Sequence, residues 1–204
     1  HLVFDFGEVE QAFAQADEVM DVTYSEGRVT GLPIEPRGFV ADYDPHAQTM
    51  NVWGTFQTPY LQRHNMAEAL GMPEVKITTH STDIGGAFGL KIHTYKENVV
   101  ALASKLLGRP VKYMECMREW VVTGPHQRDV SWKGQVAFTR DGRLLGMKAT
   151  IVQDLGVEST QKGIAALSLF PACSAVANMY TWTGMHIEGI GAVSNKSFYC
   201  AYRG

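Results

Sequence analysis

The chain is poor in the residues that build redox and metal centres: its 204 residues include only three cysteines. Cys116, Cys173 and Cys200 stand far apart with no C-x-x-C pair, so alone they assemble neither a zinc site nor an iron–sulfur cluster. The seven histidines, His1, His46, His64, His80, His93, His126 and His186, include no pair at the i, i+4 spacing of a helical metal site. So sparse and odd a cysteine count suits a reducing compartment and points to the cytoplasm. Basic charge is scarce as well. Lys and Arg number 18 against 21 Asp and Glu, a net charge of −3. That leaves no basic stripe for a phosphate backbone, so nucleic acid is not an expected partner. No apolar run reaches the roughly 18 residues of a membrane span, and the N-terminus lacks the charged-then-apolar layout of a signal peptide. His1 at one end and Gly204 at the other, directly after the cluster Tyr199–Arg203, read as cuts in a longer polypeptide.

Apolar material is plentiful: 45% hydrophobic residues against 19% charged suffice for one sizeable core or two small ones. Val9, Ala12, Phe13 and Ala16 recur at helical spacing within Glu8–Asp17, and Val19–Ser25 then alternates as a strand does. Arg37–Tyr43 and Met50–Gly54 read as a hairpin around the turn Asp44-Pro45-His46. Thr58-Pro59 marks a helix start, with Thr58 as the expected cap and Gly71 as the stop. Val75–Thr79 is an expected strand. Tyr95, Val99, Leu102, Ala103 and Leu106 recur at i, i+4, i+7, i+8 and i+11, which predicts an amphipathic helix with that stripe as its apolar face, ending at Gly108 with Pro110 beyond. Val130–Phe138 and Leu145–Ile151 alternate about Asp141-Gly142, a long β-hairpin that accounts for Trp132 as a packing residue. Gly163–Tyr180 is apolar without a clean period, and Met185–Val193 is a further strand. Helices and strands are mixed without strict βαβ alternation, so the expected class is α+β.

Between the Val75–Thr79 strand and the Tyr95 helix lies Asp83-Ile84-Gly85-Gly86-Ala87-Phe88-Gly89, too rich in glycine for either regular element. Such loops let backbone amides approach an anionic ligand. The spacing satisfies neither G-x-G-x-x-G nor the P-loop pattern, since Lys91 is flanked by Leu90 and Ile92. Taken alone, the loop is a tight turn more often than a site.

Other segments accompany it in order: Glu35-Pro36-Arg37-Gly38, Trp53-Gly54-Thr55-Phe56-Gln57-Thr58-Pro59, Leu107-Gly108-Arg109-Pro110-Val111-Lys112-Tyr113 and Ala201-Tyr202-Arg203-Gly204. Together they resemble the large, molybdopterin-binding subunit of the molybdenum hydroxylases, the family of xanthine oxidase, aldehyde oxidase and aerobic carbon monoxide dehydrogenase, over nearly the whole chain. The resemblance is nearest to the carbon monoxide dehydrogenase large chain and its homologues. It implies the molybdopterin-binding fold of the aldehyde oxidase and xanthine dehydrogenase type, with residues 1–204 as the N-terminal portion of the cofactor-binding domain.

It further implies a molybdenum-pyranopterin cofactor, with or without a cytosine dinucleotide extension, and oxidative hydroxylation of an aldehyde or similar small carbon substrate by water. Gln57 matches the Gln that hydrogen-bonds an oxygen ligand of the metal, a task for which an amide is suited because it donates without titrating. Phe88 matches the Phe beside the metal, so Gln57 and Phe88 are the expected catalytic positions. Gly85, Gly86, Phe88, Gly89 and Arg203 match cofactor contacts. The family often has a third glycine at Ala87, whose methyl is tolerated only where φ is negative. Gly204 stands where carbon monoxide dehydrogenases proper carry a copper-binding Cys, and Cys200 does not match that motif. Ile92 replaces the Glu with which purine-hydroxylating relatives hold the ring, which disfavours xanthine. Glu35 reads as a turn carboxylate paired with a neighbouring Arg or backbone amide rather than as a catalyst. The family's base, a Glu near the end of the large subunit, has no match here. Electrons would leave through iron–sulfur and FAD cofactors on a small and a medium partner subunit, in a dimer of heterotrimers.

Overall fold

The computed structural model describes residues 1–157 and 164–203, with those at 164–168 described by backbone alone. These residues divide into two compact units, one of 1–29, 127–157 and 164–199 and one of 30–126 and 200–203. In the first unit the chain runs through β1 (Leu2–Gly7), α1 (Val9–Ala14) and β2 (Glu18–Val29). In the second follow β3 (Gly38–Asp44), β4 (Thr49–Gly54), α2 (Pro59–Leu70), β5 (Ile77–Ser81), α3 (Lys96–Leu107), β6 (Val111–Met114) and α4 (Met117–Thr123). The first unit is completed by β7 (Gln127–Phe138), β8 (Leu144–Gly156), α5 (Ile164–Ser174) and β9 (Gly184–Val193). Among the described residues no helix is long and apolar enough to cross a membrane.

The first unit is a five-stranded mixed sheet in the order β1-β9-β8-β7-β2. The hairpin expected at Asp141-Gly142 joins β7 to β8, and Gly142 sits at φ 87°, where a side chain would be strained. Met147, Ala149 and Ile151 alternate inward along β8 and meet Leu169 and Cys173 of α5, with Trp182, Met185 and Ile187 completing the core. Trp132 is half-buried against that core, in line with a packing role.

The second unit is a four-stranded sheet, β5-β4-β3-β6, with α2 and α3 on one face. Phe39 and Ala41 of β3 and Met50 and Val52 of β4 point inward by the two-residue period, against Met66, Ala67 and Leu70 of α2 and Val100 and Ala101 of α3. Each large side chain so buried contributes about 1.5–3 kcal/mol. Both long helices stop where expected, with Gly71 and Gly108 left-handed at φ 60° and 61°. The α+β class holds, although β4–β5 and β8–β9 are parallel pairs bridged by α2 and α5.

Three expectations require correction. Three of the five residues read as the apolar stripe of α3 face outward: Val99, Leu102 and Leu106 are 68%, 44% and 77% exposed and Tyr95 and Ala103 half-buried, whereas Glu97, Val100, Ala101 and Ser104 are buried. Polar partners set this rotation. Glu97 pairs with Arg37, and the Ser104 hydroxyl accepts Tyr43 N and donates to Arg109 O. Thr58 does not cap α2, because its hydroxyl donates to Ile92 O at 3.3 Å instead. The strand placed at Val75–Thr79 begins later, since Lys76 N donates to Pro73 O and closes a short 3-10 turn over Glu74–Lys76. Of the apolar stretch Gly163–Tyr180, Gly163 lies outside the described residues.

Candidate functional site

The parallel pairing of β4 and β5 makes the site. Gly54 lies opposite Ser81 in register, so the segments after both strands leave at the same edge of the sheet. One carries Thr55-Phe56-Gln57 and the other the glycine loop. There the Gln57 side-chain oxygen accepts Gly89 N at 2.9 Å and Lys91 N at 3.2 Å, while Gln57 N donates to Lys91 O. With Oε1 committed to the loop, Nε2 makes no hydrogen bond among the described residues and stands at an exposed position as a fixed donor.

The loop is tied at both ends. Glu35 Oε2 accepts Gly85 N at 2.8 Å and Lys91 Nζ at 3.0 Å, and Glu35 N donates to Gly85 O. A Cβ on Gly85 would come within 2.7 Å of Glu35 Cβ, so this approach needs glycine. Between the ties, the amides of Gly86, Ala87 and Phe88 donate to no acceptor among the described residues. Gly86 and Gly89 adopt φ 96° and Phe88 φ 56°, whereas Ala87 is not among the positive-φ residues, so its methyl is tolerated. A left-handed Phe is costly and persists only where its surroundings hold it. Here Arg203 N donates to Phe88 O at 3.0 Å, and the Arg203 guanidinium carbon lies 5.8 Å from the centre of the Phe88 ring.

Beneath the loop lies buried charge. Arg37, fully buried, ion-pairs with Glu97 and donates to Leu90 O at 2.6 Å and His93 O at 2.9 Å, with the Tyr95 ring 4.8 Å from its guanidinium carbon. Burial works against that charge and is the largest single influence, but Glu97 together with Tyr95, Cys200 and Glu115 outweighs it and the guanidinium is held above its ordinary range. The Lys91 ammonium, its side chain without exposure, is lowered by burial and by Arg37 despite Glu35. Burial alone would raise the Glu35 carboxyl, but the bonds from Lys91 and Gly85 prevail and lower it. Burial, reinforced by Arg37, pushes His93 down to about 4. The Cys200 thiol donates to Gly89 O at 3.2 Å and is pushed up to about 12 by burial, which makes it a packing group and not a nucleophile.

Gln57, Gly85, Gly86, Phe88, Gly89 and Arg203 are thus gathered in one unit around one loop. Gly204 lies outside the described residues. Glu35 pairs with a backbone amide as expected, but its cationic partner is Lys91 and not an Arg. Arg37, Lys91 and Glu97 were not singled out from the sequence as supports of the site, and their one local signal is the place of Arg37 in Glu35-Pro36-Arg37-Gly38. Three free amides, the Gln57 amide nitrogen and the Arg203 guanidinium are all donors, and Arg203 has no ion pair among the described residues. Such a set suits a ligand rich in anionic and carbonyl oxygens. A molybdopterin, with its phosphate and its acceptor-rich pterin, fits that chemistry. Among the described residues no His, Cys, Asp and Glu cluster could hold a metal ion directly.

The model of the molybdopterin cofactor-binding domain matches residues 1–204. The 6-hydroxypseudooxynicotine dehydrogenase complex subunit gamma of Paenarthrobacter nicotinovorans is 37% identical over 152 residues, covering 74% of this chain and 19% of its own length. The carbon monoxide dehydrogenase large chain of Hydrogenophaga pseudoflava is 32% identical over 207 residues, covering 98% of this chain and 25% of its own. Among solved structures, quinoline 2-oxidoreductase from Pseudomonas putida 86 superposes with a TM-score of 0.89 at 29% identity, over 100% of this chain and 26% of that one. The chain therefore spans a quarter or less of the length of these curated relatives.

Proposed function

Because the chain belongs to the molybdopterin cofactor-binding domain family of the molybdenum hydroxylases, we propose that it is the N-terminal portion of the cofactor-binding domain of a large subunit that oxidatively hydroxylates a small organic substrate with water. The observation that carries this reading is the Gly89–Gln57 bond, which fixes a side-chain donor beside three free loop amides. When bound, the molybdenum cofactor supplies the two-electron oxidation of an electrophilic carbon and passes the electrons onward.

The chain's own residues bind and orient. The amides of Gly86, Ala87 and Phe88 receive acceptor oxygens of the cofactor, and Arg203 offers a cation to the same ligand. Gln57 Nε2 donates toward the reacting end, where a preorganised donor counts most as charge develops. The Phe88 ring, 44% exposed, presents an apolar surface that excludes water. Glu35 is committed to Gly85 and Lys91 and is not offered as the base, a role that the family resemblance gives to a Glu near the end of the large subunit. Gly204 at the copper-ligand position favours an aldehyde or an electrophilic ring carbon over carbon monoxide, in keeping with relatives named for nicotine derivatives. Iron–sulfur and FAD partner subunits would accept the electrons.

The test is to express the full-length gene with its neighbours and to measure molybdenum and pterin per chain, together with dye reduction on aldehydes, N-heterocycles and carbon monoxide. Turnover with an aldehyde or heterocycle is expected. Bound metal with no turnover on any of the three would leave a non-catalytic cofactor-binding module.

A further inference from the structure

One carboxylate oxygen joins the two ends of the glycine loop. Glu35 Oε2 receives Gly85 N at 2.8 Å from the loop's start and Lys91 Nζ at 3.0 Å from its end. The Lys91 side chain has no exposure, whereas that of Glu35 is 38% exposed. A buried ammonium is costly unless it is paired, so Lys91 is compelled to keep its carboxylate, and the carboxylate in turn keeps Gly85. The three unbonded amides lie wholly between these ties, and with them Phe88 in its left-handed conformation. Three successive amides without a protein acceptor, at exposed or half-buried positions, are left to water when no ligand is present, and an untied loop would be free to turn them elsewhere.

Resting on the cofactor reading above, we infer that the Glu35–Lys91 pair is a latch that keeps the glycine loop in its ligand-ready shape before the cofactor arrives. Glu35 is then a positioning residue: it touches neither metal nor substrate, and acts by removing the ordering cost that binding would otherwise meet. Arg37 extends the device. Two residues beyond Glu35, Arg37 takes Leu90 O, so one short segment grips the loop at Gly85, Leu90 and Lys91.

The experiment compares Glu35→Gln, Lys91→Met and the double variant in the full-length polypeptide. Amide exchange across residues 84–92 is read in cofactor-free protein, and pterin loss on dialysis is read in loaded protein. Each single variant is expected to speed exchange at Gly85, Gly89 and Lys91 and pterin loss roughly tenfold, and the double variant to be no worse than the worse single. Lys91→Met fills the same space with an apolar chain, so it keeps the test open should Glu35→Gln not fold. Wild-type exchange in Lys91→Met, or effects that simply add in the double variant, would overturn the latch. A wild-type protein that carries no pterin would defeat the cofactor reading instead, and the exchange measurement would still judge the latch.

Discussion

The side-chain oxygen of Gln57 accepts the amide of Gly89 at 2.9 Å across 32 positions of sequence, so one residue both holds the loop and aims a donor. The two tasks separate by substitution. Gln57→Glu keeps the acceptor and loses the donor, and is expected to retain pterin while turnover in the full enzyme falls by about 2.7–4 kcal/mol of barrier. Gln57→Ala loses both and should lower pterin content as well. Metal analysis beside steady-state kcat distinguishes them, and an unchanged kcat in Gln57→Glu removes the donor from the mechanism.

Gly89→Ala should damage the site through the backbone. Its φ is 96°, and a Cβ there would meet Ala201 O at 2.5 Å. The expected loss is about 1–3 kcal/mol, read as a lower melting temperature with less bound pterin. Gly108→Ala is the control, since its φ of 61° carries strain but nothing lies within 4 Å of the new methyl. Its pterin content should equal that of the wild type.

Removing Glu97 leaves Arg37 charged and fully buried. Glu97→Ala is expected to cost about 3–5 kcal/mol, seen as a large drop in melting temperature. Glu74→Ala removes an exposed pair with Arg63 and His64 and should leave the melting temperature unchanged. Equal effects of the two would deny the buried pair its structural weight.

His93 makes acid stability pH-dependent. In the unfolded chain it takes its proton near 6.5, but in the folded chain only near 4. Between those values the unfolded state holds the extra proton, so stability falls as pH drops, by about 1.4 kcal/mol per pH unit. His93→Gln should flatten the denaturation profile between pH 6.5 and about 4. A profile of unchanged slope would place the acid sensitivity in other groups.

Local chemistry was legible in the sequence wherever backbone geometry alone decided. Gly71 and Gly108 end their helices and Gly142 turns its hairpin because each needs a left-handed φ that glycine supplies. What depended on distant partners was not legible. The proximity of Gln57 to the loop follows from β4 and β5 lying parallel, a pairing closed across the whole of α2, and only the family resemblance anticipated it. The roll of α3 was misread because periodicity counts apolar residues, whereas Arg37, 60 positions before Glu97, decides which side turns inward. The strands Leu2–Gly7 and Val111–Met114 and the helix Met117–Thr123 went unmarked because their patterns are short.

The outward-facing leucines of α3 invert the usual map of mutational tolerance along that helix. Leu106→Lys, at a site 77% exposed, should shift stability by no more than about 0.5 kcal/mol, whereas adding a single methylene at fully enclosed Ala101 should be felt at once. A deep mutational scan of the full-length polypeptide would then record a greasy position as permissive and a small or polar one as intolerant.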